Sequence, residues 1–155
     1  MGTVTLRWVE DHLVVGTDSN GHSIAIGKHP GKAGEWAGMK PSDLLLLAAA
    51  SCAAYDVISI MQKGREPLQD LKVYCSGEQE DRPPYTFTRI HLHYEASGPV
   101  RRERLERAVR LAEEKYCSVI STLRQGVPVV CDFELKPGPG AGLPAKRASD
   151  GEQGA

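Results

Sequence analysis

Four cysteines, Cys52, Cys75, Cys117 and Cys131, are the residues of this chain best suited to covalent chemistry, because a thiolate is a strong nucleophile and an easily oxidised group. A free thiol with a pKa of roughly 8.5 is mostly protonated at neutral pH unless a cation or a helix N-terminus lowers that value. Cys75 and Cys131 fall inside alternating apolar runs beside Val73, Tyr74, Val129 and Val130, where a small, weakly polar side chain simply fills a core. Cys117 stands where one helical pattern ends and the next begins, so the N–H groups of the following turn can stabilise its thiolate. Cys52 lies in the middle of a helical run with Asp56 one turn later, a neighbour that opposes a thiolate. On its own residues Cys52 therefore reads equally well as core filler and as a reagent. The absence of a CxxC pair or of histidines at finger spacing argues against a structural zinc site.

His91 and His93 alternate on one strand face with Arg89. A metal pair is one reading, but no third ligand is placed by the sequence, and a solvated polar face is preferred. Arg101-Arg102-Glu103-Arg104 likewise reads as a solvated helix start of mixed charge. Trp8 and Trp36 suit packing or an interface, and less directly the wall of a pocket for an apolar molecule.

The elements that must hold these residues can be read from period and punctuation. Val4 to Val9, Leu13 to Thr17 and Ser23 to Ile26 are β-prone runs divided by Glu10-Asp11 and Ser19-Asn20-Gly21, which predicts an antiparallel N-terminal sheet. A Gly-rich loop from His29 to Met39 leads to a helix starting at Pro41-Ser42-Asp43 and running to about Lys63, with Gly64 as its stop. That helix is apolar on nearly all sides. Asp56 interrupts it too early for a membrane span of roughly 20 clean residues, so it is expected at the centre of the fold. Strands follow at Leu71 to Cys75 and Phe87 to Tyr94, with Ile90, Leu92 and Tyr94 facing inward. An amphipathic helix over Arg101 to Lys115, a short helix over Val119 to Arg124 and a closing strand over Val127 to Leu135 complete the pattern.

The whole chain sets further bounds. Its 155 residues fit one domain, taken as 1–135, and the Gly, Pro and Ala of 136–155 predict a disordered tail. A net charge of −1 gathers no polyanion, so nucleic acid is not an expected partner. The N-terminus lacks a basic segment followed by an apolar one, and Leu6 occupies the place where a myristoylation signal wants Ser or Thr. A cytoplasmic location, no membrane partner and no disulfide scaffold are the expectations.

Pro41-Ser-Asp-Leu-Leu-Leu-Leu-Ala-Ala-Ala-Ser-Cys52-Ala-Ala-Tyr-Asp-Val resembles the central helix of the OsmC-like family, in which the reactive Cys follows a Pro by eleven residues. Glu113-Glu-Lys-Tyr-Cys117-Ser-Val is similar to the family's second-cysteine motif, and Phe87-Thr-Arg-Ile-His-Leu-His-Tyr94 to its intervening strand. Together these span most of residues 1–135, and Tyr55-Asp-Val and Glu114-Lys-Tyr-Cys-Ser-Val resemble the YhfA-like branch most. The resemblance implies an α+β fold of antiparallel sheets packed with a long buried central helix, and an intertwined homodimer. It also implies, as in the family's peroxidase branches, peroxiredoxin-type reduction of organic hydroperoxides in oxidative-stress defence. Carried over by position, Cys52 attacks the peroxide and Cys117 resolves the sulfenic acid as a disulfide, which an external dithiol reductant resets. No metal or organic cofactor enters this cycle.

The chain departs from the peroxidase branches at one point. Those branches place Glu directly after the motif Pro, as half of an Arg–Glu pair supporting the reactive Cys; here Ser42 and then Asp43 follow Pro41. Any supporting role falls to Ser42 or Asp43, and nine residues of helix, about 14 Å, separate Asp43 from Cys52, so such support would have to come from a partner chain. The alternative to turnover is a redox-responsive or ligand-binding dimer of the same fold that takes up an apolar small molecule.

Overall fold

The computed structural model describes residues 2–138. Strands β1 (Thr5–Glu10), β2 (Leu13–Thr17) and β3 (Ser23–Gly27) form an antiparallel sheet in the order β1-β2-β3. Helix α1 (Pro41–Lys63) follows, then β4 (Asp70–Gln79), β5 (Phe87–Ser97), helix α2 (Arg102–Leu111), a π-turn (Ala112–Tyr116), helix α3 (Ser118–Leu123) and β6 (Val129–Lys136). The element types and their order agree with the sequence reading. The tail assigned to 136–155 lies outside the described residues from 139 onward, and Lys136 belongs to β6.

The second sheet corrects one expectation. Its order is β4-β5-β6, with β4 and β5 antiparallel but β5 and β6 parallel. The reason is connectivity: a hairpin joins β4 to β5, whereas α2, the π-turn and α3 carry the chain across one face before β6, and such a crossover delivers a parallel strand. Alternation then sets the core. Ile90, Leu92 and Tyr94 of β5 are completely buried, as expected, and pack with Ala53, Val57 and Met61 of α1, Leu105, Ala108 and Val109 of α2 and Ile120 of α3.

Helix α1 is as long as its sequence requires, but it is not buried all round. Its buried stripe is Ala49, Ala50, Ala53, Val57 and Met61, a spacing that presents one face to β4, α2 and α3. The opposite face leaves Leu47 and Tyr55 exposed, the latter at 75%, because the N-terminal sheet does not cover it within this chain. By length and composition alone α1 could cross a membrane; the packed stripe accounts for its apolar character on one side only.

The N-terminal sheet is tied to the rest through the loop before α1. Gly27 N–H donates to the Met39 carbonyl and Met39 N–H to the Ala25 carbonyl, each at 3.0 Å. Gly38 is required there, since a Cβ would collide with the Ala25 carbonyl. Helix α1 starts at Lys40 without a side-chain cap, with Pro41 in its first turn, where the missing N–H costs nothing. It ends with Gly64 still right-handed, and Arg65 (φ 53°) makes the reversal that the sequence assigned to Gly64.

Candidate functional site

Cys52 projects from the packed side of α1, half-buried, and Asp56 lies one turn further along the same helix. Residues i and i+4 share a helix face, so the sulfur and the carboxylate necessarily point the same way. Cys117 arrives from the other side. It is the N-cap of α3, 1% exposed, and the π-turn sets its position by passing the Cys117 N–H to the Ala112 carbonyl at 3.0 Å. Single π-turns inside helices recur at functional sites. The result is a cluster in which the two sulfurs and an Asp56 carboxylate oxygen all lie within 4.8 Å of one another.

Both cysteines are free thiols. A disulfide between them would hold the sulfurs ~2.05 Å apart; the cluster as it stands is a dithiol. The environments of the two differ. Cys117 accepts the Ile120 N–H at 3.4 Å, the helix-end stabilisation read from the sequence, but burial outweighs it and pushes the thiol up to about 11, with proximity to Cys52 acting in the same direction. Buried surroundings also push the Cys131 thiol up to about 12 and raise that of Cys75, in keeping with their reading as core residues.

Asp56 has a different part from the one its sequence position suggested. One of its oxygens, Oδ2, is buried and has no hydrogen-bond partner among the described residues, and burial raises the carboxyl above its ordinary range. An acid that holds its proton longer opposes a neighbouring thiolate less than a fixed negative charge would, and it can give or take a proton. The i, i+4 spacing of Cys52 and Asp56 was legible; that both would meet Cys117 was not. Behind Cys117, the Tyr94 hydroxyl is buried without a hydrogen-bond partner among the described residues and lies near enough to Cys131 and Cys117 to feel their charge.

The remaining expected site residues are placed elsewhere. Asp43 is exposed and borders a groove with Ala50, Val73 and Cys75, while Ser42 is half-buried in the first turn of α1. Among the described residues, Arg–carboxylate pairs join Arg124 to Glu113 at 2.7 Å, Arg89 to Glu78 at 3.8 Å, and Arg101 and Arg104 to the buried Glu66. His91 and His93 do acquire a third group: His91 Nε2 meets Asp132 Oδ2 at 2.6 Å and His93 Nδ1 meets Asp132 Oδ1, on the outer face of the second sheet. Trp36 is partly exposed between Lys28 and Lys40, and Trp8 is exposed.

The profile of the OsmC-like protein family matches residues 31–132, a span that holds α1, the π-turn, α3 and all three residues of the cluster. The chain belongs to the OsmC-like family. Protein YhfA of Escherichia coli (strain K12) is 36% identical over 131 residues, covering 84% of this chain and 95% of YhfA. A hypothetical protein of Aquifex aeolicus VF5 superposes with a TM-score of 0.80 at 29% identity, covering 90% of this chain and 98% of its own. The organic hydroperoxide resistance protein OhrB of Bacillus subtilis shares the fold, with a TM-score of 0.60 at 18% identity over 86% of this chain and 98% of OhrB. The OsmC-like fold thus accounts for the bringing together of residues 65 positions apart in sequence, Cys52 and Cys117.

Proposed function

We propose that this OsmC-like chain reduces organic hydroperoxides with its own thiols, Cys52 attacking and Cys117 resolving. The observation that carries the reading is the convergence of Cys52, Cys117 and Asp56 within 4.8 Å. The name of the Bacillus subtilis structural neighbour, an organic hydroperoxide resistance protein, points the same way. The order of events follows from access. Cys52 is half-buried and Cys117 is 1% exposed, so a peroxide meets Cys52 first.

In the first step the Cys52 thiolate attacks the terminal peroxide oxygen, the O–O bond breaks, and the alcohol leaves with a proton that Asp56 is placed to deliver. Cys52 becomes a sulfenic acid. Cys117 sulfur then displaces the hydroxyl as water, forming the disulfide, and the two electrons gained by the peroxide have come from the two thiols. An external dithiol restores both thiols. We place this cycle in the cytoplasm, where free thiols persist. A homodimer suits the chain as well, since the exposed side of α1 and the apolar face of the N-terminal sheet (Val4, Leu6, Ile24) want a covering surface.

One observation favours a second reading, a redox-responsive or ligand-binding protein without turnover: Cys117 is held as a thiol by its burial, which slows the resolving step. Steady-state consumption of cumene hydroperoxide with a dithiol present separates the two. Turnover by wild type and its loss in Cys52→Ser support the peroxidase; equal background consumption by both proteins removes it.

A further inference from the structure

The cluster of Cys52, Asp56 and Cys117 has the composition of a metal site as well as of a redox site, and one of its features is left unexplained by thiol chemistry. Asp56 Oδ2 is buried and makes no hydrogen bond among the described residues, an arrangement that costs free energy unless something else satisfies the oxygen. The same carboxylate shares its surroundings with two sulfurs, and one of its oxygens and both sulfurs lie within 4.8 Å of one another. A tetrahedral zinc ion with Zn–S near 2.3 Å and Zn–O near 2.1 Å needs sulfurs about 3.8 Å apart and sulfur–oxygen separations of about 3.6 Å. From separations of at most 4.8 Å the cluster has to contract by no more than about 1.2 Å to reach those values. Cys52 and Asp56 are one turn apart on a rigid helix, and Cys117 is fixed by the π-turn and the start of α3.

We propose that the reduced protein binds one thiophilic divalent cation of the zinc class per chain, through the sulfurs of Cys52 and Cys117 and the carboxylate of Asp56. Two thiolates select Zn2+ or Co2+ over Mg2+ and Ca2+, which prefer all-oxygen shells. Coordination displaces the proton of each thiol, M2+ + 2 RSH giving M(SR)2 and two protons, with no change of oxidation state. Three protein ligands leave a fourth position on the side of half-buried Cys52, the arrangement of an open site. A cation there occupies both sulfurs and so blocks attack on a peroxide, which makes metal binding and oxidation mutually exclusive. The inference does not rest on peroxidase activity, since coordination needs only the three side chains.

The test is anaerobic titration of the reduced protein with Co2+, read by thiolate-to-cobalt charge-transfer absorption, followed by competition with Zn2+ against a chromophoric chelator. The expected result is one ion per chain with thiolate bands, an affinity reduced at least a hundredfold in Cys52→Ser, and an affinity reduced roughly tenfold in Asp56→Asn, which keeps the shape of the side chain. Cys75→Ser, a change outside the cluster, should bind as wild type does. Circular dichroism of each variant separates lost ligation from lost folding. A second group on the outer sheet, His93, Glu95 and Glu134, has ligand atoms equally close together but no sulfur. Binding without thiolate bands that disappears in His93→Ala would move the metal there and overturn the proposal, as would the absence of binding.

Discussion

Alkaline pH acts on the buried thiol of the site in a way that can be worked through. Burial pushes Cys117 from its ordinary 9.0 up to about 11, so in the unfolded chain the thiol gives up its proton first. Its contribution to stability is therefore intact below about pH 9 and is lost progressively as the pH rises toward 11. At about pH 10.5 the difference between the two values amounts to about 2 kcal/mol. Urea unfolding of the reduced protein at about pH 7.5 and pH 10.5 should show wild type losing more stability over that interval than Cys117→Ser, by about 2 kcal/mol. The comparison is between pH changes within each protein, so the packing lost in the Ser variant, which acts at both pH values, cancels. Equal losses in the two proteins would mean that Cys117 ionises as freely in the folded chain as outside it. The account of the site as a buried thiol paired with a half-buried one would then be wrong.

Leu105 of α2 is completely buried against the core, and Leu105→Ala should cost 2–5 kcal/mol, roughly, in chemical denaturation. The Arg101 guanidinium, and then its backbone N–H, hold the Glu66 carboxyl below its usual range. Glu66→Gln should accordingly lower the melting temperature near neutral pH and lose that difference as the pH falls below the ordinary carboxylate range and the wild-type carboxyl is protonated. A dimer built on the exposed face of α1 should run in light scattering at twice the 16.8 kDa of one chain; Tyr55→Arg, which puts a charge at its most exposed aromatic position, should shift the population toward single chains, and an unchanged mass would exclude this face from the interface.

Local signals made most of the fold legible. Leu13–Thr17 appeared in sequence as the strand the structure contains, and the alternation of Ile90, Leu92 and Tyr94 identified the inward face of β5. Pro41 marked the start of α1. Strand direction was not legible, because the parallel pairing of β5 with β6 depends on where α2 and α3 lie and on no residue within either strand. The π-turn before Cys117 has no signature in Ala112-Glu-Glu-Lys-Tyr116, which reads as ordinary helix. For the same reason the site was half visible. Cys52 and Cys117 could be singled out by type and by family resemblance, but the role of Asp56 depends on its burial, which the one-turn spacing from Cys52 does not convey. Asp132 joined His91 and His93 from 39 and 41 positions away, a contact that only the sheet register creates.

The central claim is that Cys52 and Cys117 act as one redox pair. It is tested most directly by treating the reduced protein with one equivalent of cumene hydroperoxide and mapping the product by mass spectrometry. The account predicts rapid loss of two hydrogens and a single new Cys52–Cys117 bond, with Cys75 and Cys131 still free. Persistence of all four thiols, or oxidation that stops at Cys52 without reaching Cys117, would contradict it.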